Sequence, residues 1–155
     1  MILREASNAD APAIRELVFS VLRSYGLQPD PADTDRDLED IERNYLQSGG
    51  TFVVLEENGR IVGSCGLLRI ENDECELRKM YLQAGYRGRG LGKQLLEHAL
   101  ARAKALGFRA IRLETASVLR EAIGLYQRYG FAPCAAAHLS ARCDKSYRKT
   151  LEDLK

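Results

Sequence analysis

Four kinds of feature are scarce in this sequence, and each scarcity removes a class of function. Metal ligands come first: the four cysteines (Cys65, Cys75, Cys134, Cys143) form no C-x-x-C pair, and the two histidines, His98 and His138, stand far apart. Neither spacing suits a zinc site, so no metal is expected. Surplus positive charge is missing too. The 23 basic and 22 acidic residues leave a net charge of +1, whereas non-specific nucleic-acid binding needs a large basic surface. No nucleic-acid partner is expected. Long apolar runs and a signal-peptide pattern are also lacking, which predicts no membrane partner and a cytoplasmic protein with reduced, mostly buried cysteines. Finally, no linker or repeat divides the chain. Its 155 residues and 45% hydrophobic content suit a single domain over 1–155 with its own core.

What is present reads as an alternation of strands and helices. Residues 2–6 form a strand. Ser7 or Asn8 can cap a helix bearing Ile14, Leu17, Val18, Val21 and Leu22 at helical spacing, with Gly26 as its stop. Residues 28–33, with Pro29 and Pro31, are a loop. Thr34 with Asp37 resembles a capping box and predicts a second helix, with Leu38, Ile41 and Tyr45 on one face and Gly49-Gly50 at its end. Strands over 51–57 and 60–70 are joined at Asn58-Gly59, a hairpin signal. Asn72-Asp73 turns the chain into a strand over 74–82. Leu91, Leu95, Leu96, Ala99, Leu100, Ala103 and Leu106 mark the buried stripe of a long helix capped by Gly107. A strand over 109–115, a helix over 119–129 closed by Gly130, and strands over 131–137 and 147–151 complete the chain.

The most informative stretch joins the strand over 74–82 to the long helix. It reads Arg87-Gly88-Arg89-Gly90-Leu91-Gly92-Lys93. A glycine-rich turn at a helix start leaves backbone N–H groups without partners, under the positive end of the helix dipole. Small glycines let a phosphate approach them, and Arg87, Arg89 and Lys93 add charge. The spacing narrows the ligand. A P-loop would need glycine at Arg87 and a hydroxyl at Gln94, and a dinucleotide fingerprint would need glycine at Lys93 or Leu95. What remains is Arg87-x-x-Gly90-x-Gly92 after a strand. Taken alone, the same glycines also suit a simple tight turn.

This loop resembles the acyl-CoA pyrophosphate loop of the GCN5-related N-acetyltransferase (GNAT) superfamily. Two flanking segments extend the resemblance. Ala122-Ile123-Gly124-Leu125-Tyr126 with Gly130-Phe131 is similar to the superfamily's A-I-x-L-Y-x-x-x-G-F, and Glu76 precedes Leu82 by six residues, like an acidic residue of the histone-acetylating branch. The resemblance implies an α/β (α+β) fold: a mixed, mostly antiparallel sheet with helices on both faces. Its splayed fourth and fifth strands, 74–82 and 109–115, would grip acetyl-CoA as co-substrate. It also implies cofactor contacts from Met80, Tyr81 and Leu82, along which the pantetheine arm would lie as an added strand, and from Arg87, Gly88, Arg89, Gly90, Leu91, Gly92 and Lys93. A backbone N–H near Met80 would bond the thioester oxygen. One departure stands out: many members carry asparagine where this chain has Leu119, and Ser117 or Arg120 could replace it.

The expected activity is transfer of acetyl from the CoA thioester to a primary amine. Tyr126 is the expected general acid, its phenol protonated at neutral pH; it also suits the core, and Tyr129 is the weaker candidate. Glu76 is the expected base. Strand alternation puts it on one face with Arg78, Met80 and Leu82, unless a bulge intervenes. An ion pair with Arg78, a water chain, and Glu114 are the rivals. The acceptor is expected to be a small amine or amino-acid-like molecule, read by the first two helices, residues 25–33 and residues 138–144, with Tyr25, Tyr45, Arg142 and Asp144 in the lining. A protein lysine or N-terminal amine, and a non-catalytic acyl-CoA sensor, are the alternatives. A monomer and a homodimer are both left open.

Overall fold

A computed structural model describes residues 1–135 and 139–151. Among these, seven strands hydrogen-bond into one sheet: β1 (Ile2–Glu5), β2 (Thr51–Glu57), β3 (Arg60–Glu71), β4 (Glu74–Leu82), β5 (Ala110–Thr115), β6 (Ala132–Pro133) and β7 (Lys145–Thr150). Their order across the sheet is β1-β2-β3-β4-β5-β7-β6. Every neighbouring pair is antiparallel except β4 and β5. The turn between β2 and β3 follows directly from its residues. Asn58 and Gly59 take φ of 52° and 77°, the paired positive values that a tight two-residue hairpin turn demands.

Helices cover both faces, as expected. Helix α1 (Ala11–Ser24) starts after a single 3-10 turn, Asn8–Asp10, whose Asp10 carboxylate accepts the Ser7 N–H at 2.9 Å. It lays Ile14, Val18 and Leu22 on one face of the sheet, against Phe52 and Val54. Helix α2 (Leu91–Ala105) packs Leu95, Leu96, Ala99 and Ala103 on the other, against Val53 and Leu55. Strand β2 is therefore buried on both sides, and its unbroken apolar run has a structural use. Burying each such leucine or isoleucine stabilises the fold by about 1.5–3 kcal/mol. Helix α3 (Arg120–Arg128) joins the α2 side through Leu125 and Tyr126.

Three expectations are corrected. The second helix is not α-helical. Residues 36–46 form a 3-10 turn (Arg36–Glu39) and a π-turn (Glu42–Leu46), parted at Asp40 with φ −143°. Leu38, Ile41 and Tyr45 are nonetheless fully buried. The cause lies upstream: Thr34 does not cap Asp37. Instead, Asp30 accepts the Thr34 N–H and hydroxyl, and Asp35 and Asp37 turn inward to a buried lysine. The expected strand over 131–137 is described only as Ala132–Pro133, and Ala136 and Ala137 lie outside the described residues. The simple alternation of β4 also fails. Lys79 has φ 55°, and the register slips there: Ser64 faces Tyr81 while Gly66 faces Arg78. This bulge sends Met80 and Leu82 to the α2 core, away from Glu76 and Arg78, while Tyr81 packs toward α1.

Candidate active site

Strands β4 and β5 pair over only three residues, Glu74, Cys75 and Glu76 against Ala110, Ile111 and Arg112. Beyond them the strands part, as the fold resemblance implies. Two clefts open along the parting. One, of about 490 Å³, runs beside the loop at 87–93, the start of α2 and the first turns of α3. The other, of about 590 Å³, lies between β4, the end of β5 and residues 27–34 and 139–143. Both are lined by Met80, Tyr81 and Leu119.

The first cleft gathers most of the residues expected to hold the cofactor. Met80, Tyr81, Leu82, Arg87, Gly88, Gly90, Gly92 and Lys93 all line it; Arg89 and Leu91 do not. Gly88 and Gly90 both sit at φ 76°, and Gly90 is the N-cap of α2. An L side chain is strained at that φ, so glycine suits both turns of the loop that borders the cleft. Arg87 is already in place. Its guanidinium donates to the Leu82 carbonyl at 3.2 Å and lies 4.9 Å from the centroid of the Tyr25 ring. Arg89 stacks on Tyr86 at 5.1 Å instead. Free N–H groups at a helix start, with Arg87 and Lys93 beside them, fit a pyrophosphate. Ser117 is no replacement for the missing asparagine, because Asp144 holds its N–H at 2.8 Å and its hydroxyl at 2.6 Å. Arg120 does line the cleft.

The second cleft contains Glu76, Glu114 and Tyr126. Tyr126 is 6% exposed, and its ring packs against Phe131 at 5.8 Å. Burial raises its phenol pKa well above the usual value, so the hydroxyl stays protonated throughout the physiological range. Glu76 is paired, its Oε1 lying 2.6 Å from Arg78 Nε. The ion pair weighed from sequence is thus present. Glu114 accepts the Ser140 N–H at 3.0 Å. Tyr129 packs against the core and lines neither cleft. Of the four residues expected in the acceptor lining, only Arg142 is there. Tyr45 is fully buried and donates its hydroxyl to Asp37, Tyr25 belongs to the first cleft, and Asp144 caps Ser117. His138, at the start of the expected segment 138–144, lies outside the described residues.

A charged cluster beneath this cleft escaped the sequence reading. Lys79 Nζ is 3.2 Å from Asp35, 3.3 Å from Asp37 and 3.3 Å from the Thr34 carbonyl that accepts its proton. Arg142 grips Asp35 bidentately at 2.5 and 2.7 Å. Burial pushes the Asp35 carboxyl pKa up, but Arg142 and Lys79 outweigh it and leave the group below its ordinary value. The one sequence signal was the run of aspartates at 30, 33, 35, 37 and 40, denser than a solvated loop requires. Among the described residues, no group of three or more His, Cys, Asp or Glu is arranged to hold a metal, and no helix is long and apolar enough to cross a membrane.

Known proteins resemble this chain in sequence and in fold. Residues 15–131 match the Acetyltransferase (GNAT) family. The chain is 38% identical over 135 residues to the uncharacterized N-acetyltransferase YjgM of Escherichia coli (strain K12), covering 84% of this chain and 81% of that protein. It is 35% identical over 99 residues to the probable N-acetyltransferase camello of Xenopus tropicalis, covering 62% of this chain and 45% of that protein. It thus spans less than half the length of that relative. An acetyltransferase of the GNAT family from Staphylococcus aureus Mu50 superposes with a TM-score of 0.90 at 28% identity, over 97% of this chain and 99% of that one.

Proposed function

The chain belongs to the GNAT acetyltransferase family and is an acetyl-CoA-dependent N-acetyltransferase, and we propose that its acceptor is the primary amine of a small amine or amino-acid-like molecule held in the second cleft. The carrying observation is that two clefts of small-molecule size meet at Met80 and Tyr81, on the part of β4 beyond its pairing with β5. In this reading the N–H groups at 88–93, with Arg87 and Lys93, hold the pyrophosphate, and the open edge of β4 from Met80 to Leu82 receives the pantetheine arm. Acetyl-CoA, when bound, supplies an acetyl group activated as a thioester. The Met80 backbone N–H is assigned to polarise the acetyl carbonyl; such a donor is worth about 10²–10³ in rate.

Tyr126 Oη is assigned as the proton donor to the departing sulfur. A phenol at about 10 is a weaker acid than a thiol at about 8.5, and burial weakens it further. Full transfer before the C–S bond breaks is therefore uphill. The hydroxyl first donates a hydrogen bond to the sulfur as charge develops there, and passes its proton as the amine's proton becomes available to replace it. Glu76 is assigned to take that proton from the amine and pass it, through water, back to the Tyr126 oxygen, so that one proton moves from nitrogen to sulfur overall. Its ion pair with Arg78 favours a variant in which a water takes the proton first and Glu76 holds the water.

The test is release of free CoA thiol from acetyl-CoA across a panel of amines, amino acids and peptides. The expected outcome is turnover with one class of small acceptor. Turnover with peptides alone would move the acceptor to a protein.

A further inference from the structure

Lys79 combines features that ordinary structural lysines lack. It adopts φ 55°, a region in which an L side chain costs on the order of 1–2 kcal/mol and which glycine occupies freely. Its side chain is 4% exposed although it borders a cleft. Its ammonium donates to the Thr34 carbonyl at 3.3 Å and forms ion pairs with Asp35 and Asp37. The buried Asp37 Oδ1 has no hydrogen-bond partner among the described residues and so depends on that charge. Its own carbonyl accepts the buried Ser64 hydroxyl at 2.7 Å. Both ends of the residue are therefore clamped, and the clamps hold the one place where two residues of β4, Lys79 and Met80, stand opposite the single Cys65 of β3.

We propose that Lys79 is a positioning residue for acetyl transfer: its buried ammonium locks the β4 bulge that sets the Met80 backbone at the junction of the two clefts. The inference rests on the reading of Met80 as the carbonyl-polarising donor. A regular strand would carry Met80 on the α1 side with Glu76 and Arg78. The bulge instead turns Met80 to the α2 core, re-aiming its peptide group at the same step. The other end of the tether is the wall of the second cleft. Asp35 and Asp37 stand on the segment after residues 30–34, and Arg142 holds Asp35 from the opposite wall. Lys79 thus ties the acceptor-side loops to the strand that presents the acyl group. A group worth about 10²–10³ in rate is sensitive to misplacement, because a shift of about 1 Å can cost about 10²-fold.

Removing Lys79 alone leaves Asp37 buried without its cation, a change that can unfold a protein. The fair test is the charge-balanced pair Lys79→Met with Asp37→Asn, alongside Lys79→Met alone. Asparagine at 37 can still accept the Tyr45 hydroxyl. Three readouts are taken: the single-turnover rate, the acetyl-CoA dissociation constant, and the ¹⁵N–¹H resonance of Met80 with and without acetyl-CoA. The expected result for the double variant is a single-turnover rate lower by about 10- to 100-fold, acetyl-CoA affinity within about twofold of native, and a displaced Met80 resonance in the free protein. A folded double variant with the native rate, or with an unmoved Met80 resonance, overturns the proposal. If Met80 of the native protein does not respond to acetyl-CoA, the donor reading fails and takes the catalytic role of Lys79 with it. In that case the free-protein resonance still reports whether Lys79 locks the bulge. A purely stabilising lysine would lower the melting temperature and leave the rate and the resonance alone.

Discussion

Tyr126 fills two positions in one side chain, a core ring against Phe131 and a hydroxyl at the lining of the second cleft. Replacing it with phenylalanine keeps the first and removes the second. Tyr126→Phe is expected to lower kcat by about 10²–10⁴-fold, with little change in acetyl-CoA affinity or melting temperature. Single-turnover kinetics is the measurement, since slow product release could mask the loss. A native rate would return the tyrosine to the core. Glu76→Gln is expected to slow the single-turnover rate; an unchanged rate would leave deprotonation to water. These residues were legible because a local motif or strand position carries them. Lys79 and Asp35 were not, and Arg142 was legible as part of the lining but not as the partner of Asp35. Their partnership is formed by folding alone, and lysine has no propensity for positive φ that would have marked the bulge.

The loop entering α2 shows how an element's boundary becomes a ligand site. Gly90 is both the helix cap and a left-handed turn residue, and a Cβ built there meets nothing within 4 Å. The constraint on it is thus the backbone angle and the access of a ligand, not crowding. Gly90→Val is expected to abolish the rise in melting temperature that saturating acetyl-CoA gives the native protein, as ligand linkage requires. No rise in the native protein would refute the cofactor cleft itself. Elements bounded by their own turn residues were readable from the sequence: Asn58-Gly59 and Asn72-Asp73 delimit β2, β3 and β4 to within a residue. The segment 34–46 was not, because its aspartates are drawn to Lys79 and Arg142 from outside it. Long-range ion pairing overrode a local capping signal.

Across the whole molecule, acidic groups tie distant parts of the sheet together. Asp10 is held by Arg4; Asp35 by Arg142 and Lys79; Glu74, of β4, by Arg148 of β7 and Arg112 of β5. The Arg4 hydrogen bond lowers Asp10, while at Asp35 and Glu74 the cations outweigh the upward push of burial; all three carboxyls end below their ordinary values of 3.8 and 4.5. A depressed folded-state pKa contributes stability that is present above the unfolded value and lost as pH falls through the folded one. The melting temperature is therefore expected to decline steeply once pH drops below about 4, and Glu74→Gln to shrink that decline. A flat profile into that range would mean the pairs contribute nothing. The ends of the same sheet bear on a different property. An open strand edge templates pairing with other chains. Among the described residues, one edge is the two-residue β6 containing Pro133, which has no N–H to offer, and the other is the four-residue β1, whose Arg4 is engaged by Asp10 and Glu56. The longer unpaired stretch of β4 opens inward, toward β5. Concentrated solutions should consequently resist fibre-like stacking, and a warmed sample should lose material first through exposed core and only later through ladder growth.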